Sequence, residues 1–237
     1  HHRPRHQANK DDRRGGNGDR PADLHPDAAE YMPLIKNALF LTPHHRAIRS
    51  LALCQAVSTL PGHQHRGDAV MDSMGLPENV LKDLVGADIS SDFRSYKGKA
   101  VLVWWHELIH AVADSLGICR FQTVWMSPSA PKFEEFRQML RLATGMDFSE
   151  PELKEIAERI YTTERLILGK LGLASRPHDM LPPQFFKPLK GGKFDGEALD
   201  RDSVELFLNE YYPLHGWDQR GQPTPETVER LGIGTSR

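Results

Sequence analysis

The chain has 237 residues, enough for one or two domains with a substantial core, and 39% of them are hydrophobic. Its formal net charge is −2, with 30 basic and 32 acidic residues intermixed, so no field of one sign would recruit nucleic acid or a membrane surface. No run of about 18 apolar residues is present, the start lacks the apolar core of a signal peptide, and two cysteines, Cys54 and Cys119, do not make a disulfide framework. A reducing cytoplasm is the expected compartment.

Residues 1–27 are mostly polar and charged and include the run Asp11-Asp12-Arg13-Arg14-Gly15-Gly16-Asn17-Gly18. Such a stretch cannot bury enough apolar surface to offset its ordering entropy, and is expected to be a disordered tail. Residues 28–237 read as a mainly α-helical region. Apolar residues recur at helical spacing through Ile48, Leu51, Ala52, Leu53, Ala56 and Val57, predicting a helix over 47–60 that stops at Pro61-Gly62. Further helices are predicted over 77–85, 100–116, 132–144, 151–171, 202–212 and 225–231. Gly117 and Gly172 stand where a left-handed residue ends a helix, and Thr224-Pro225 is an N-cap followed by Pro at the first turn. The Pro/Gly-rich stretch 175–196 reads as loop, and strand alternation is nearly absent.

Two motifs on the third predicted helix compete. His106-Glu107-Leu108-Ile109-His110 spaces two imidazoles by four residues, so both would share a helix face and could bind Zn²⁺, with Glu107 as general base of a metallopeptidase. A third ligand is required, and a downstream glutamate could serve, with Glu134 or Glu135 at a plausible distance. The bland alternative is that His106, His110 and Asp114 form a stripe along one helix face. Just beyond, Asp114-Ser115-Leu116-Gly117-Ile118-Cys119 puts a carboxylate at the helix end and a thiol five residues on, past the helix-ending glycine.

Several blocks, in order and spanning about residues 43–233, resemble the C-terminal part of the tungsten-containing aldehyde:ferredoxin oxidoreductase family. Lys97-Gly98-Lys99-Ala100 leads through an apolar helix to the Asp114…Cys119 segment, which looks like the family's D-x-x-G-x-C. Glu164-Arg165 with Lys170 and Gly172 is similar to its E-R helix, and Asp179-Met180-Leu181-Pro182 to its D-x-L-P turn. Tyr211-Tyr212, Gly216-Trp217-Asp218, Gly221, Pro223-Thr224 and Leu231-Gly232 resemble its closing signature. Upstream, Arg46-Ala47-Ile48, Ala56-Val57-Ser58 and Gly62 with His65-Arg66-Gly67 resemble the stretch that brings a histidine to the substrate pocket. Leu168, Lys170, Gln184 and His215 depart from the family's usual residues, which marks a divergent sequence.

The resemblance implies a multi-helix fold and a pair of cofactors, a tungsten-bispterin (molybdopterin) group and a 4Fe–4S cluster. Asp114 would accept hydrogen bonds from the pterin, the backbone of Leu116, Gly117 and Ile118 would pack close to it, and Cys119 would be the cluster's fourth thiolate. His65 would be the proton donor or acceptor, with His63 beside it as a competitor for that role. The implied reaction oxidises an aldehyde to a carboxylic acid and passes electrons through the cluster to ferredoxin. A cluster of this kind needs four thiolates, and the family's other three lie in a C-x-x-C-x-x-x-C segment not found here. The chain is therefore expected to be a C-terminal portion that works with an N-terminal half or a cognate subunit, and a homodimer is left open. A zinc metallopeptidase and a non-catalytic helical interaction domain are the alternatives from other classes.

Overall fold

The structure, a computed structural model, describes residues 34–36, 38, 39, 45–125 and 127–234, so the tail expected over residues 1–27 lies outside the described residues. The helices are α1 (Arg49–Val57), α2 (Glu78–Val85), α3 (Lys99–Ser115), α4 (Phe133–Thr144), α5 (Glu150–Lys170), α6 (Arg201–Leu214) and α7 (Pro225–Arg230). Strands among the described residues are confined to an antiparallel pair, β1 (Leu34–Ile35) and β2 (Ala38–Leu39), with Leu34 opposite Leu39, and to a single bridge between Trp217 and Pro223. All seven predicted helices are present, so the mainly α reading holds.

The helix ends follow from local chemistry. At the start of α5, the Ser149 hydroxyl accepts from the Glu152 N–H while the Glu152 side chain reaches back to the Ser149 N–H, a reciprocal capping box. At the end of α3, Ile118 N–H bonds Ala113 C=O (2.9 Å) and Gly117 N–H bonds Asp114 C=O (3.1 Å). Gly117 sits at φ +69°. These two bonds define a Schellman turn, which consumes the last carbonyls of the helix and reverses the chain. The helix predicted over 47–60 is shorter than expected: Ile48 is extended and Ser58 leaves helical geometry, its hydroxyl accepting from Leu60 N–H and donating to Leu60 C=O. Within the predicted loop 175–196, Arg176–Asp179 and Pro183–Phe186 each form a 3₁₀ turn.

Helix α3 is the central element, packed against α1, α2, α4, α5 and α6. Every residue of α1 is buried, so its polar groups need partners: the Ser50 hydroxyl donates to Asp72 (2.9 Å), which in turn pairs with the wholly buried Lys99 (2.7 Å). A second buried charge cluster joins distant segments. Asp179 accepts from Arg165 Nη1 (2.9 Å) and Nη2 (2.6 Å) and from the Tyr212 hydroxyl (2.8 Å), and lies 3.0 Å from Lys36 Nζ. Arg165 Nε donates to Gly221 C=O (2.8 Å), and the guanidinium lies 4.8 Å from the Trp217 ring centroid. The Glu-Arg, Asp-x-Leu-Pro and closing blocks of the sequence thus meet in one interior knot.

Candidate functional site

The surface where α3 ends carries most of the residues singled out from the sequence. Cys119 follows the Schellman turn and is exposed, at the N-terminal edge of a 3₁₀ turn over Arg120–Gln122. Asp114, Gly117 and Cys119 are all exposed, while Leu116 and Ile118 are half-buried and packed on the core. Nothing lies within 4 Å of the position a Gly117 Cβ would occupy. Its requirement for glycine is therefore the left-handed backbone of the turn, and the space in front of it is open.

Asp114 is held by cations from two other segments. Arg66 Nη1 donates to Asp114 Oδ2 at 2.6 Å, and Arg120 Nη2 stands 3.8 Å from the same oxygen. The Arg66 guanidinium also donates to Glu164 of α5, whose carboxylate accepts from the Thr59 hydroxyl. Arg120 Nη1 lies 3.9 Å from Asp68 Oδ2, and Asp68 faces His65 Nδ1 at 3.5 Å. His65, Asp68, Arg120, Asp114, Arg66 and Glu164 thereby form a continuous row of alternating cationic or imidazole groups and carboxylates across the end of α3. His65 is 45% exposed at its side chain and stacks on His63, ring centroids 5.2 Å apart. A mostly apolar cleft of about 400 Å³ opens beside Arg66 and Glu164, walled by Leu60, Ile167 and Leu168.

Sequence reasoning gave roles to His65, Asp114 and Cys119, quoted Arg66 and Glu164 as motif residues without a role, and missed Asp68 and Arg120, which complete the row. The available signal for Arg120 was its adjacency to Cys119. The other cysteine has a different fate. Cys54 is fully buried on α1, its sulfur accepts from Ala69 N–H (3.3 Å), and burial pushes its thiol well up.

The zinc-peptidase reading of the same helix fails on geometry. Glu107 is wholly buried and accepts from the hydroxyls of Tyr161 (2.9 Å) and Tyr211 (2.8 Å), with His215 Nε2 at 3.0 Å. A carboxylate engaged three times in a closed interior cannot serve as base to a water. His106 and His110 are also at 0% exposure, and burial drives His106 down to about 3 and His110 well below its ordinary value. Neither Glu134 nor Glu135 joins them, and among the described residues no three His, Cys, Asp or Glu side chains are grouped to hold a metal ion. The two imidazoles are neutral core residues.

The end of α3 thus presents an exposed thiol and an exposed carboxylate on a helical scaffold, and the comparisons with known proteins give its family. Residues 16–233 match the family described as "Aldehyde ferredoxin oxidoreductase, domains 2 & 3", and the chain belongs to that family. A tungsten-containing aldehyde ferredoxin oxidoreductase of Pyrococcus furiosus is 34% identical over 124 residues, which is 52% of this chain and 19% of that protein. An aliphatic sulfonate oxidoreductase, WOR-like subunit, from the same organism is 33% identical over 136 residues, 55% of this chain and 21% of that protein. A third relative, a tungsten-containing aldehyde ferredoxin oxidoreductase of Thermococcus kodakarensis, is 33% identical over 126 residues, 53% of this chain and 20% of its own length. The aligned region is thus about a fifth of the length of these relatives. Among solved structures, the active site complex BamBC of benzoyl coenzyme A reductase superposes with a TM-score of 0.49 at 22% identity, over 72% of this chain and 25% of that one. No helix among the described residues is long and apolar enough to cross a membrane.

Proposed function

We propose that this chain forms one wall of the cofactor chamber of an oxidoreductase that converts aldehydes to carboxylic acids. The observation that carries the reading is the surface around the end of α3, where an exposed cysteine and a carboxylate stand on either side of an open glycine turn, with a histidine three ionic contacts from that carboxylate. The residues present fit one side of the implied cofactors. Cys119 offers an accessible sulfur on a fixed corner, as a cluster ligand requires. Asp114 is oriented by Arg66 and Arg120, and both contacts fall on Oδ2. Leu116 and Ile118 anchor the turn to the core, and the clear space before Gly117 lets a flat ring system lie against its backbone.

When bound, the tungsten-pterin group would take two electrons from the aldehyde and the 4Fe–4S cluster would pass them on singly to ferredoxin. The chain's own residues would do the rest. Asp114 would accept hydrogen bonds from the pterin edge and fix its orientation. Cys119 would hold one corner of the cluster, and His65 would carry a proton to or from the substrate oxygen. With two cysteines in the sequence and Cys54 sealed in α1, the remaining three thiolates would come from protein beyond these residues. That requirement is what makes an N-terminal half or a cognate subunit the expected partner.

The test is anaerobic assembly from ferrous iron and sulfide, with the chain mixed with a polypeptide carrying the family's C-x-x-C-x-x-x-C half. Visible absorbance and the electron paramagnetic resonance of the reduced cluster are read for wild type, Cys119→Ala and Cys54→Ala. Wild type and Cys54→Ala should share one spectrum, and Cys119→Ala should lose or alter it. A Cys119→Ala spectrum identical to wild type would overturn the assignment.

A further inference from the structure

We infer that Asp68 is a positioning residue for His65: its carboxylate holds the imidazole with the proton on Nδ1, leaving Nε2 as the atom that gives or takes a proton, and Arg120 ties that arrangement to the loop of Cys119. The inference rests on the reading of His65 as the proton-handling residue, and no motif of the sequence marks Asp68.

Its backbone is the first indication. Asp68 stands at φ +44°, in the left-handed region that non-glycine residues seldom adopt. The surrounding contacts over-determine this conformation. Asp68 N–H and Gly67 N–H both bond Gln64 C=O, at 2.9 Å and 3.1 Å, and Ala69 N–H is held by the Cys54 sulfur. A Cβ on Gly67 would fall 3.0 Å from that sulfur and 3.2 Å from Glu107 Cγ, so the loop is pressed onto α1 and α3 with no room to relax. Backbone strain kept in place by a fixed scaffold is characteristic of functional loops.

The side chain is the second indication. Asp68 is 4% exposed, yet the ionic groups against it are His65 Nδ1 at 3.5 Å and Arg120 Nη1 at 3.9 Å, with the Trp125 side chain also facing it. Burial pushes its carboxyl up, and the charges of His65 and Arg120 oppose that shift. A buried carboxylate accepts only, so the imidazole nitrogen facing it must be the protonated one. His63 stacks on the His65 ring, and its stacked face offers no competing acceptor in the ring plane.

The full chain, labelled with ¹⁵N-histidine, tests this without any cofactor. The ring nitrogens of His65, assigned by their loss in His65→Gln, should report the Nδ1–H tautomer as the major neutral form. Asp68→Asn keeps the size and the tolerance for left-handed backbone but replaces the ionised acceptor by a neutral amide, and should weaken the Nδ1–H preference. Asp68→Gly relieves the backbone strain, so it should fold at least as stably by urea denaturation and still lose the Nδ1–H preference. Unchanged tautomers in both variants would overturn the inference. The result is independent of the cluster test, because Cys119 could fail as a ligand while His65 and Asp68 still pair, and the reverse.

Discussion

Replacing Asp179 by alanine removes an anion shared by two buried cations, and the size of the effect can be worked from the contacts. Arg165, Lys36 and Asp179 all have side chains at 0% exposure. The substitution deletes the acceptor for two Arg165 bonds, the Tyr212 hydroxyl and the Lys36 ammonium. Arg165 keeps Gly221 C=O and the Trp217 face, so it is left partly solvated by protein but uncompensated in charge. Breaking a buried pair from one side typically costs about 3–5 kcal/mol, a large part of a domain's total stability of roughly 5–15 kcal/mol. Urea denaturation followed by far-ultraviolet circular dichroism should show the midpoint falling with an unchanged slope. The pH dependence adds a sign. Burial raises the Asp179 carboxyl, but Lys36 and Arg165 outweigh it and hold the carboxyl below its ordinary value. Its stabilising contribution is therefore complete above the unfolded value of about 4 and is lost as pH falls through the lower folded value. Asp179→Asn should lose this acid-dependent component while keeping the side chain's volume, at the cost of turning one acceptor into a donor that faces donors. A cost under about 1 kcal/mol for Asp179→Ala would refute the claim that these charges are desolvated and interdependent.

Two further outcomes are expected. Gly98→Ala places a Cβ 2.4 Å from Asp88 C=O at φ +74°, whereas Gly117→Ala meets open space at φ +69°; the first should cost well over about 2 kcal/mol and the second about 1 kcal/mol by thermal or urea melts, since only the left-handed penalty remains. His106, neutral in the core and depressed to about 3, binds its proton in the unfolded chain from about pH 6.5 downward. Stability should thus fall on acidification below that point, by about 2 kcal/mol at pH 5 from this group, and His106→Leu should flatten the decline; an unchanged acid limb would count against a neutral buried imidazole.

The helices were legible because their ends are set by a few local residues. Gly117, the Ser149…Glu152 box and Thr224-Pro225 act within four or five positions, and each ends or begins a helix where it should. What spacing could not convey is which neighbours close over a helix face. His106 and His110 do share a face, as the four-residue interval requires. The partners that seal Glu107 lie 54, 104 and 108 residues away in the chain, on α5, on α6 and just beyond α6, and their arrival turns a metal-ligand pattern into core. The end of helix α1 was misjudged for a different reason, since Ser58 hydrogen-bonds its own neighbourhood and stops the helix before Pro61 is reached.

The pair Glu164-Arg165 shows how one motif serves two purposes at once. Successive residues on a helix diverge by about 100°, so the glutamate reaches out to Arg66 while the arginine turns inward to Asp179 and Trp217. Arg66 then carries the connection to Asp114 at the end of α3. A shift of α5 on α3 would pull on the carboxylate beside Cys119 and on the buried knot together. The rigidity of the interior and the placement of Asp114 are therefore coupled through a single helical turn.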